Sequence, residues 1–234
     1  MIRIVVVCVL ALCVSLVCWS ILNSTYSHSS FASEEAQKSL EVTEQQTREL
    51  QASRLKSDMI AFGLFGTLLG GLCGAVCSAT GTAAHRGLAG VLGLVLGLVA
   101  GVAGAWLGHF HDANMAFGGE PMTYWFVRWI ALLLPIGLVA GIAAQAASRF
   151  SGADGVVGGV LGASLAAVIY CLASGSLTPI EGHAEIFPAH STNRLLAYSV
   201  ASICIAGLIA FQLGRQGKKV APEPELDHDP SPLA

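Results

Sequence analysis

Charged residues are scarce in this sequence. Only 12% of its residues are Asp, Glu, Lys or Arg, whereas a soluble globular domain carries about 25%. The net charge is −3, and no basic stretch alternates with aromatic residues as in grooves that bind single-stranded nucleic acid. We therefore expect no nucleic-acid partner. Because 54% of the residues are hydrophobic and stand in long uncharged blocks, the expected partner is the lipid bilayer.

The familiar motifs of catalysis are also absent. The chain has no GxSxG nucleophile elbow, no GxxxxGKS/T phosphate loop and no GxGxxG sequence opening a βαβ unit. It has no CxxC, and its odd number of cysteines argues against a disulfide framework or a zinc site. These absences favour a protein that is not an enzyme and holds no cofactor. We interpret the cysteines as small, polarizable membrane side chains: Cys8, Cys13, Cys18, Cys73, Cys77, Cys171 and Cys204.

Long apolar runs dominate what is present. A helix needs about 20 apolar residues to cross a bilayer, and residues 87–108 form a run of 22 residues without a charge. Similar runs precede and follow it. The sequence therefore predicts an all-α fold, a polytopic membrane bundle of about six transmembrane helices. The predicted spans are residues 4–22, 59–79, 87–108, 124–147, 153–174 and 194–213.

Glycines recur every four residues in the second and third spans. Residues four apart share one face of a helix, and small residues let two membrane helices approach closely. The linker between these spans is short, which predicts an antiparallel hairpin with facing glycine stripes, a general glycine-zipper pattern. The predicted packing residues are Gly66, Gly70, Gly74, Gly93, Gly97 and Gly101.

Parts of the sequence match other parts that lie 65 residues further along. That shift places Gly93 onto Gly158 and Gly97 onto Gly162, together with several neighbouring matches. It predicts a tandem repeat of two hairpins, residues 59–108 and 124–174. Sequence made mostly of Gly, Val and Leu also produces chance matches, so the alternative is two similar but unrelated hairpins.

The remaining segments complete the predicted domain organisation. Residues 1–22 are a signal anchor or first transmembrane helix, with cleavage after Ser20 as the alternative. The polar segment 23–58 is extracytoplasmic and mostly helical, with Ser33 as a helix cap. A five-helix membrane domain spans 59–214. The tail, 215–234, is rich in proline and acidic residues, which predicts a disordered cytoplasmic segment.

Positive charges predict the orientation. Lys and Arg near membrane spans collect in the cytoplasm, and Arg3, Arg86, Arg149 and the basic residues after 214 fall on one side if six helices alternate. We therefore expect a multi-pass protein of a plasma or inner membrane with both termini in the cytoplasm. Two arginines fall on the outer side at helix starts, where we expect them to snorkel: Arg128 and Arg194. An aromatic belt is expected there as well: Trp19, Tyr26, Trp106, Tyr124, Trp125, Trp129 and Tyr198.

Histidines and carboxylates cluster in the two outer loops. Imidazole and carboxylate groups together can bind zinc or another divalent metal, but no HExxH or comparable spacing is present. Ordinary interfacial polarity is therefore the alternative to a metal site. The candidate metal ligands are His109, His111, Asp112, His183 and His190, with Glu120, Glu181 and Glu185 nearby.

Three hypotheses for the function follow. The first is a non-enzymatic integral membrane protein that acts through helix packing or self-association, with a homo-oligomer or another membrane protein as partner. The second is a small channel or transporter, although the span centres hold only mildly polar residues such as Thr67 and Ser164. The third is a metal-binding or enzymatic site in the extracytoplasmic histidine loops.

Overall fold

The computed structural model describes residues 2–38, 44–77, 82–114, 122–148, 152–177 and 191–219. Every regular element within these residues is a helix, so the all-α prediction is confirmed. The six helices are α1 (Ile2–Lys38), α2 (Glu44–Val76), α3 (Ala83–Asn114), α4 (Met122–Ala146), α5 (Asp154–Leu177) and α6 (Ser191–Lys219). Only the backbone is described at the helical residues 25–38, 44–51, 112–114, 122–124, 175–177 and 216–219.

Each helix contains a stretch long and apolar enough to cross a membrane, so the chain is a multi-pass membrane protein. The second, third and sixth stretches begin at Ala52, Ala83 and Ser191, earlier in the sequence than the predicted starts at residues 59, 87 and 194, because the helices extend past the most apolar residues. The six stretches are Ile2–Ser24, Ala52–Val76, Ala83–His111, Trp125–Ala146, Asp154–Ser174 and Ser191–Arg215.

The helices form two groups. Helices α2, α4 and α6 contact one another, and each of the other three lies against two of them. Thus α3 packs against α2 and α4, α5 against α4 and α6, and α1 against α6 and α2. Three inner helices are therefore surrounded by three outer ones. Every outer helix lies in the groove between two inner neighbours.

The interface of the inner helices is filled by large side chains. Phe62 and Phe65 of α2 are at most 1% exposed, as is Tyr198 of α6. The Tyr198 ring lies 4.9 Å from the Phe65 ring and 6.2 Å from the Phe62 ring, measured between centroids. Leucine and isoleucine side chains continue the core toward the other end of the bundle: Leu69, Leu132, Leu133, Ile136, Ile205 and Ile209. Apolar packing therefore occupies the centre.

The outward faces are apolar too, as expected of helices in lipid. On α3 the exposed side chains include Leu88, Val91, Val95, Leu98 and Val99. In water such a surface would be unfavourable, but lipid tails solvate it as well as the protein core would.

The polar segment between the first two spans differs from the prediction in one respect. Helix α1 continues without interruption through Ser33 to Lys38, and α2 begins at Glu44. The predicted helix start at Ser33 is therefore wrong. No Gly or Pro lies between Ile2 and Lys38, so nothing ends the first helix at the membrane boundary. Both α1 and α2 extend beyond their apolar stretches.

Helix α1 is joined to the bundle along its apolar stretch, Ile2–Ser24. Its buried stripe is Val7, Ala11, Ser15, Cys18 and Leu22, a spacing of four or three residues that defines one helix face. In the middle, the Ser15 hydroxyl lies 2.6 Å from the Ser202 hydroxyl of α6, and both residues are fully buried. Near Leu22, the Trp19 indole N–H donates to the Ser191 carbonyl oxygen at 2.8 Å.

We expect residues 1–22 to remain in the mature protein. Removing them would break the Ser15–Ser202 and Trp19–Ser191 hydrogen bonds, and interhelical hydrogen bonds in membranes contribute about 0.6–2 kcal/mol each. Intact-mass spectrometry of the protein purified from its membrane checks this expectation. A mass that lacks the residues up to Ser20 would contradict it.

Candidate functional site

Buried polar side chains gather at one end of the bundle. This end is where the apolar stretches of α1, α3 and α5 finish and those of α2, α4 and α6 begin. Its buried members belong to α2, α4 and α6 and are 2–8% exposed: Asp58, Arg128, Asn193 and Arg194. Together with Asn23 of α1 and His109 of α3, we call these residues the polar layer.

An Asp–His pair joins α2 to α3 in the polar layer. Nε2 of His109 lies 2.8 Å from Oδ2 of Asp58, and the two side chains are 22% and 6% exposed respectively. His109 is one of the candidate metal ligands predicted from the sequence, whereas Asp58 is the last residue of the predicted extracytoplasmic segment 23–58. Because α2 starts at Glu44 and its apolar stretch at Ala52, Asp58 lies inside the span. A carboxylate within a transmembrane helix is a functional candidate by default, and that signal was available in the sequence.

Arg128 does not snorkel toward water, so that expectation is wrong. It is 2% exposed, and its guanidinium carbon lies 5.0 Å from the centroid of the Trp125 ring. Leu132 and Ile136 follow it at intervals of four residues, and both are buried. Arg128 therefore belongs to the inward face of α4, where long side chains point into the protein.

Arg194 does not snorkel toward water either, so that expectation is also wrong. It is 8% exposed and lies on the face of α6 that carries the buried Tyr198 and Ile205. One guanidinium nitrogen donates to the Asn23 side-chain oxygen of α1 at 3.3 Å. Arg194 therefore connects two helices within the bundle.

The expected aromatic belt is only partly present. Trp106 is 49% exposed and stacks with Phe110 at 5.5 Å between ring centroids. In contrast, Trp129 and Tyr198 are buried, so their assignment to the belt is wrong. Trp129 packs 4.3 Å from Tyr170 between centroids. The side chains of Tyr26 and Tyr124 lie outside the described part of the chain.

Those candidate metal ligands that the structure describes do not lie close together. His109 pairs with Asp58, and His111 stands two positions further along α3, where it does not share the same face. Across the described ranges, no three His, Cys, Asp or Glu side chains lie close enough to hold a metal ion. The Asp112 side chain, His183 and His190 fall outside those ranges. A metal site in the outer loops therefore stays a prediction.

The glycines of the second and third spans lie where α2 and α3 cross closely. A Cβ atom added at Gly66 would come within 3.0 Å of the Gly97 carbonyl oxygen, and one at Gly70 within 3.0 Å of the Gly93 oxygen. A Cβ added at Gly74 would come equally close to the Ala89 carbonyl oxygen, and one added at Gly101 would come equally close to the Phe62 carbonyl oxygen. All six predicted packing glycines therefore touch backbone of the neighbouring helix within one chain.

The fourth and fifth helices make similar contacts with different residues. Gly137 opposes Gly159, and Gly141 opposes Gly155. The glycines that the 65-residue shift pairs with Gly93 and Gly97 are Gly158 and Gly162, and these face Ile209 and Ile205 of α6 instead. The two hairpins thus do not use the matched glycines in the same way. The tandem repeat stays a prediction.

Comparison with known proteins adds no assignment. No family model, curated protein or solved structure matches this chain. The chemistry of the site therefore rests on the polar layer itself.

The polar layer combines a carboxyl–imidazole pair with two arginines. Nε2 of His109 and Oδ2 of Asp58 are 2.8 Å apart, within hydrogen-bond distance. Arginine remains protonated even when buried, so Arg128 and Arg194 bring positive charge into the edge of the membrane. Such groups are costly there and are usually retained for a functional or specificity reason.

Proposed function

We propose that the protein is a non-enzymatic integral membrane protein whose closely packed bundle holds the polar layer and the extensions of α1 and α2 at one membrane face. The observation that carries this proposal is the direct backbone contact of glycines in both hairpins, Gly66 with Gly97 and Gly137 with Gly159. Backbones this close leave no room for a side chain. The hairpins therefore behave as rigid units.

The same contacts limit how a second copy can bind. The glycine stripes of α2 and α3 are occupied by each other within one chain, so self-association through them would require the hairpin to open. We infer that a partner meets the outer face of the bundle or its extramembrane helices. These extensions, residues 25–38 and 44–51, present a mostly polar sequence beyond the spans.

We also infer that the end opposite the polar layer faces the cytoplasm. Arg3 and Arg86 lie near each other at that end, and Arg215 closes the last span there. Positive residues next to spans favour the cytoplasmic side. The polar layer and the helical extensions then lie on the extracytoplasmic side.

A second candidate function is transport through the polar layer. Asp58, Arg128 and Arg194 are ionisable, buried and located within candidate spans, which is typical of ion and proton pathways. The packed centre around Phe62 and Phe65 opposes this candidate, because a solute would have to displace these rings.

Reconstitution in liposomes distinguishes the two candidates. We expect proton and potassium release from vesicles containing the purified chain to equal release from empty vesicles, because the centre is filled. Release that is faster in the wild type, lost in Asp58→Asn and retained in His85→Ala would instead establish transport. His85 is a suitable control because its imidazole bonds to Thr82 at an exposed site.

A further inference from the structure

A groove that is open to the membrane lies along α2, between α1 and α3. Within the described residues, both outer helices pack against α2 but not against each other. The α2 side chains between them are incompletely covered: Ile60 is 56% exposed, and Leu64, Leu68 and Ala75 are partly buried. Their spacings of four, four and seven residues place them on one helix face. An apolar strip therefore forms the floor of the groove.

Leucine side chains of α3 form one wall of the groove. A Cβ added at Gly63 of α2 would lie 3.1 Å from Cδ1 of Leu98, and one added at Gly71 would lie 2.5 Å from Cδ2 of Leu94. Gly87 shares this face of α3, seven residues before Leu94, and a Cβ added there would meet no atom within 4 Å. The groove is therefore open at the end opposite the polar layer.

Arg3 of α1 stands at this open end. Its Nη2 nitrogen donates hydrogen bonds to the carbonyl oxygens of Val76, at 3.3 Å, and of Cys77, where α2 finishes. Arg3 makes no other hydrogen bond to the described part of the chain and is only partly buried. A guanidinium has five N–H donors, so Nε and Nη1 of Arg3 can donate to an acceptor from outside the chain.

Arg86 of α3 stands at the same level. Gly74 of α2 opposes Ala89 of α3, since a Cβ added at Gly74 would come within 3.0 Å of the Ala89 backbone. The two helices are antiparallel, so a step of three residues along α2 and three back along α3 brings Cys77 level with Arg86. The two arginines therefore flank the last turn of α2, one from each wall of the groove.

Positive charge predominates around these arginines. Both remain protonated, and residues 1–33 and 59–111, which contain most of α1, α2 and α3, include no Asp or Glu. Asp154 is the one carboxylate at this end within the described ranges, and it begins α5, which packs against α4 and α6. A ligand that binds here would therefore carry negative charge.

We propose that the groove binds one anionic phospholipid, with its phosphate between Arg3 and Arg86 and one acyl chain along α2. Guanidinium groups bind phosphate oxygens through their planar fork of N–H donors, and basic sites between membrane helices bind acidic headgroups. The strip from Ala75 to Leu64 covers about 16 Å of helix, which matches one leaflet of a hydrocarbon core about 30 Å thick. A zwitterionic lipid fits less well, because its headgroup brings a positive charge of its own.

Native mass spectrometry of the full chain in detergent tests the proposal. The delipidated protein is titrated with phosphatidylglycerol or phosphatidylcholine, and we expect one phosphatidylglycerol to bind more tightly than phosphatidylcholine. Arg3→Gln/Arg86→Gln should weaken phosphatidylglycerol binding about 30-fold, the product of about fivefold for each basic residue. The control Arg54→Gln/Arg215→Gln removes the same charge elsewhere and should retain the affinity. The result does not depend on the proposed packing role, so either proposal can fail alone.

A second variant leaves the charges intact, in case the loss of Arg3 disturbs the end of α2. Leu68→Trp should fill the acyl-chain site and weaken phosphatidylglycerol binding. The control Val99→Trp changes a residue that is 61% exposed on another face of α3 and should not. Equal affinity of the wild type for the two lipids, or undiminished phosphatidylglycerol binding in the Leu68 variant, would overturn the proposal.

The acidic tail is the competing occupant of the site. It follows α6, which ends at Lys219 at the same end of the bundle, and its carboxylates are Glu223, Glu225, Asp227 and Asp229. Replacing all four by the corresponding amides in the full chain should leave phosphatidylglycerol binding unchanged. Binding that occurs only in this neutralised chain would assign the arginines to the tail and contradict the proposal.

Discussion

Gly97→Leu should strongly destabilise the α2–α3 hairpin. A Cβ at this position already comes within 3.0 Å of the Gly66 carbonyl oxygen, which belongs to a helix backbone and cannot rotate away. Overpacking a well-packed interface costs about 1–3 kcal/mol and sometimes more, and leucine adds three further carbons. We expect a loss of about 3 kcal/mol or more, against total stabilities of about 5–15 kcal/mol for folded domains.

Thermal unfolding in detergent, followed by circular dichroism, measures this effect. For a chain of this size, each kcal/mol lowers Tm by roughly 2–4 °C. The matched control is Gly87→Leu, since an added Cβ at Gly87 meets no atom within 4 Å. Equal Tm values for the two variants would show that the glycine contacts do not determine the packing.

The second hairpin offers an independent comparison. Gly159 faces the Gly137 carbonyl oxygen as closely as Gly97 faces Gly66, whereas Gly214 has open space around an added Cβ. Gly159→Leu should therefore lower Tm as Gly97→Leu does, and Gly214→Leu should not.

Asp58→Ala should also destabilise the bundle, through a different effect. Removing one partner of a buried hydrogen bond leaves the other polar group unsatisfied, which costs about 1–3 kcal/mol. We expect a loss at the lower end of that range, because the His109 side chain is 22% exposed.

A double-mutant cycle separates the pair from the effects of the individual residues. Asp58→Asn and His109→Gln are combined, and we expect a coupling energy of roughly 0.5–3 kcal/mol. The control cycle uses Thr82→Ala and His85→Ala, whose side chains are bonded at 2.6 Å but exposed. Its coupling should be close to zero. Additive effects at Asp58 and His109 would mean that the observed contact contributes nothing to stability.

Corrections to the sequence-based expectations concentrate in the polar layer. Arg128 and Arg194 were expected to snorkel because they stand near helix starts, but each shares a face with buried residues, Leu132 and Tyr198 respectively. A helical periodicity that includes the arginine predicts this inward position. The pairing of Asp58 with His109, which are 51 positions apart, depends on how α2 and α3 align, and no local pattern contains that information.

The amino-acid sequence by itself determined that this is an all-helical, multi-pass membrane protein. Scarce charge and runs of about 20 apolar residues are local properties, and a bilayer allows such runs hardly any structure other than a helix. Only the tertiary structure decided which helices are inner and which are outer. It also decided which helix each glycine faces and which polar side chains meet. In residues 87–108, spacing alone predicts a glycine stripe, whereas the alignment of Gly97 with Gly66 follows from the fit of two backbones over their whole length. That fit depends on shape complementarity between distant segments, and its physical basis is close packing.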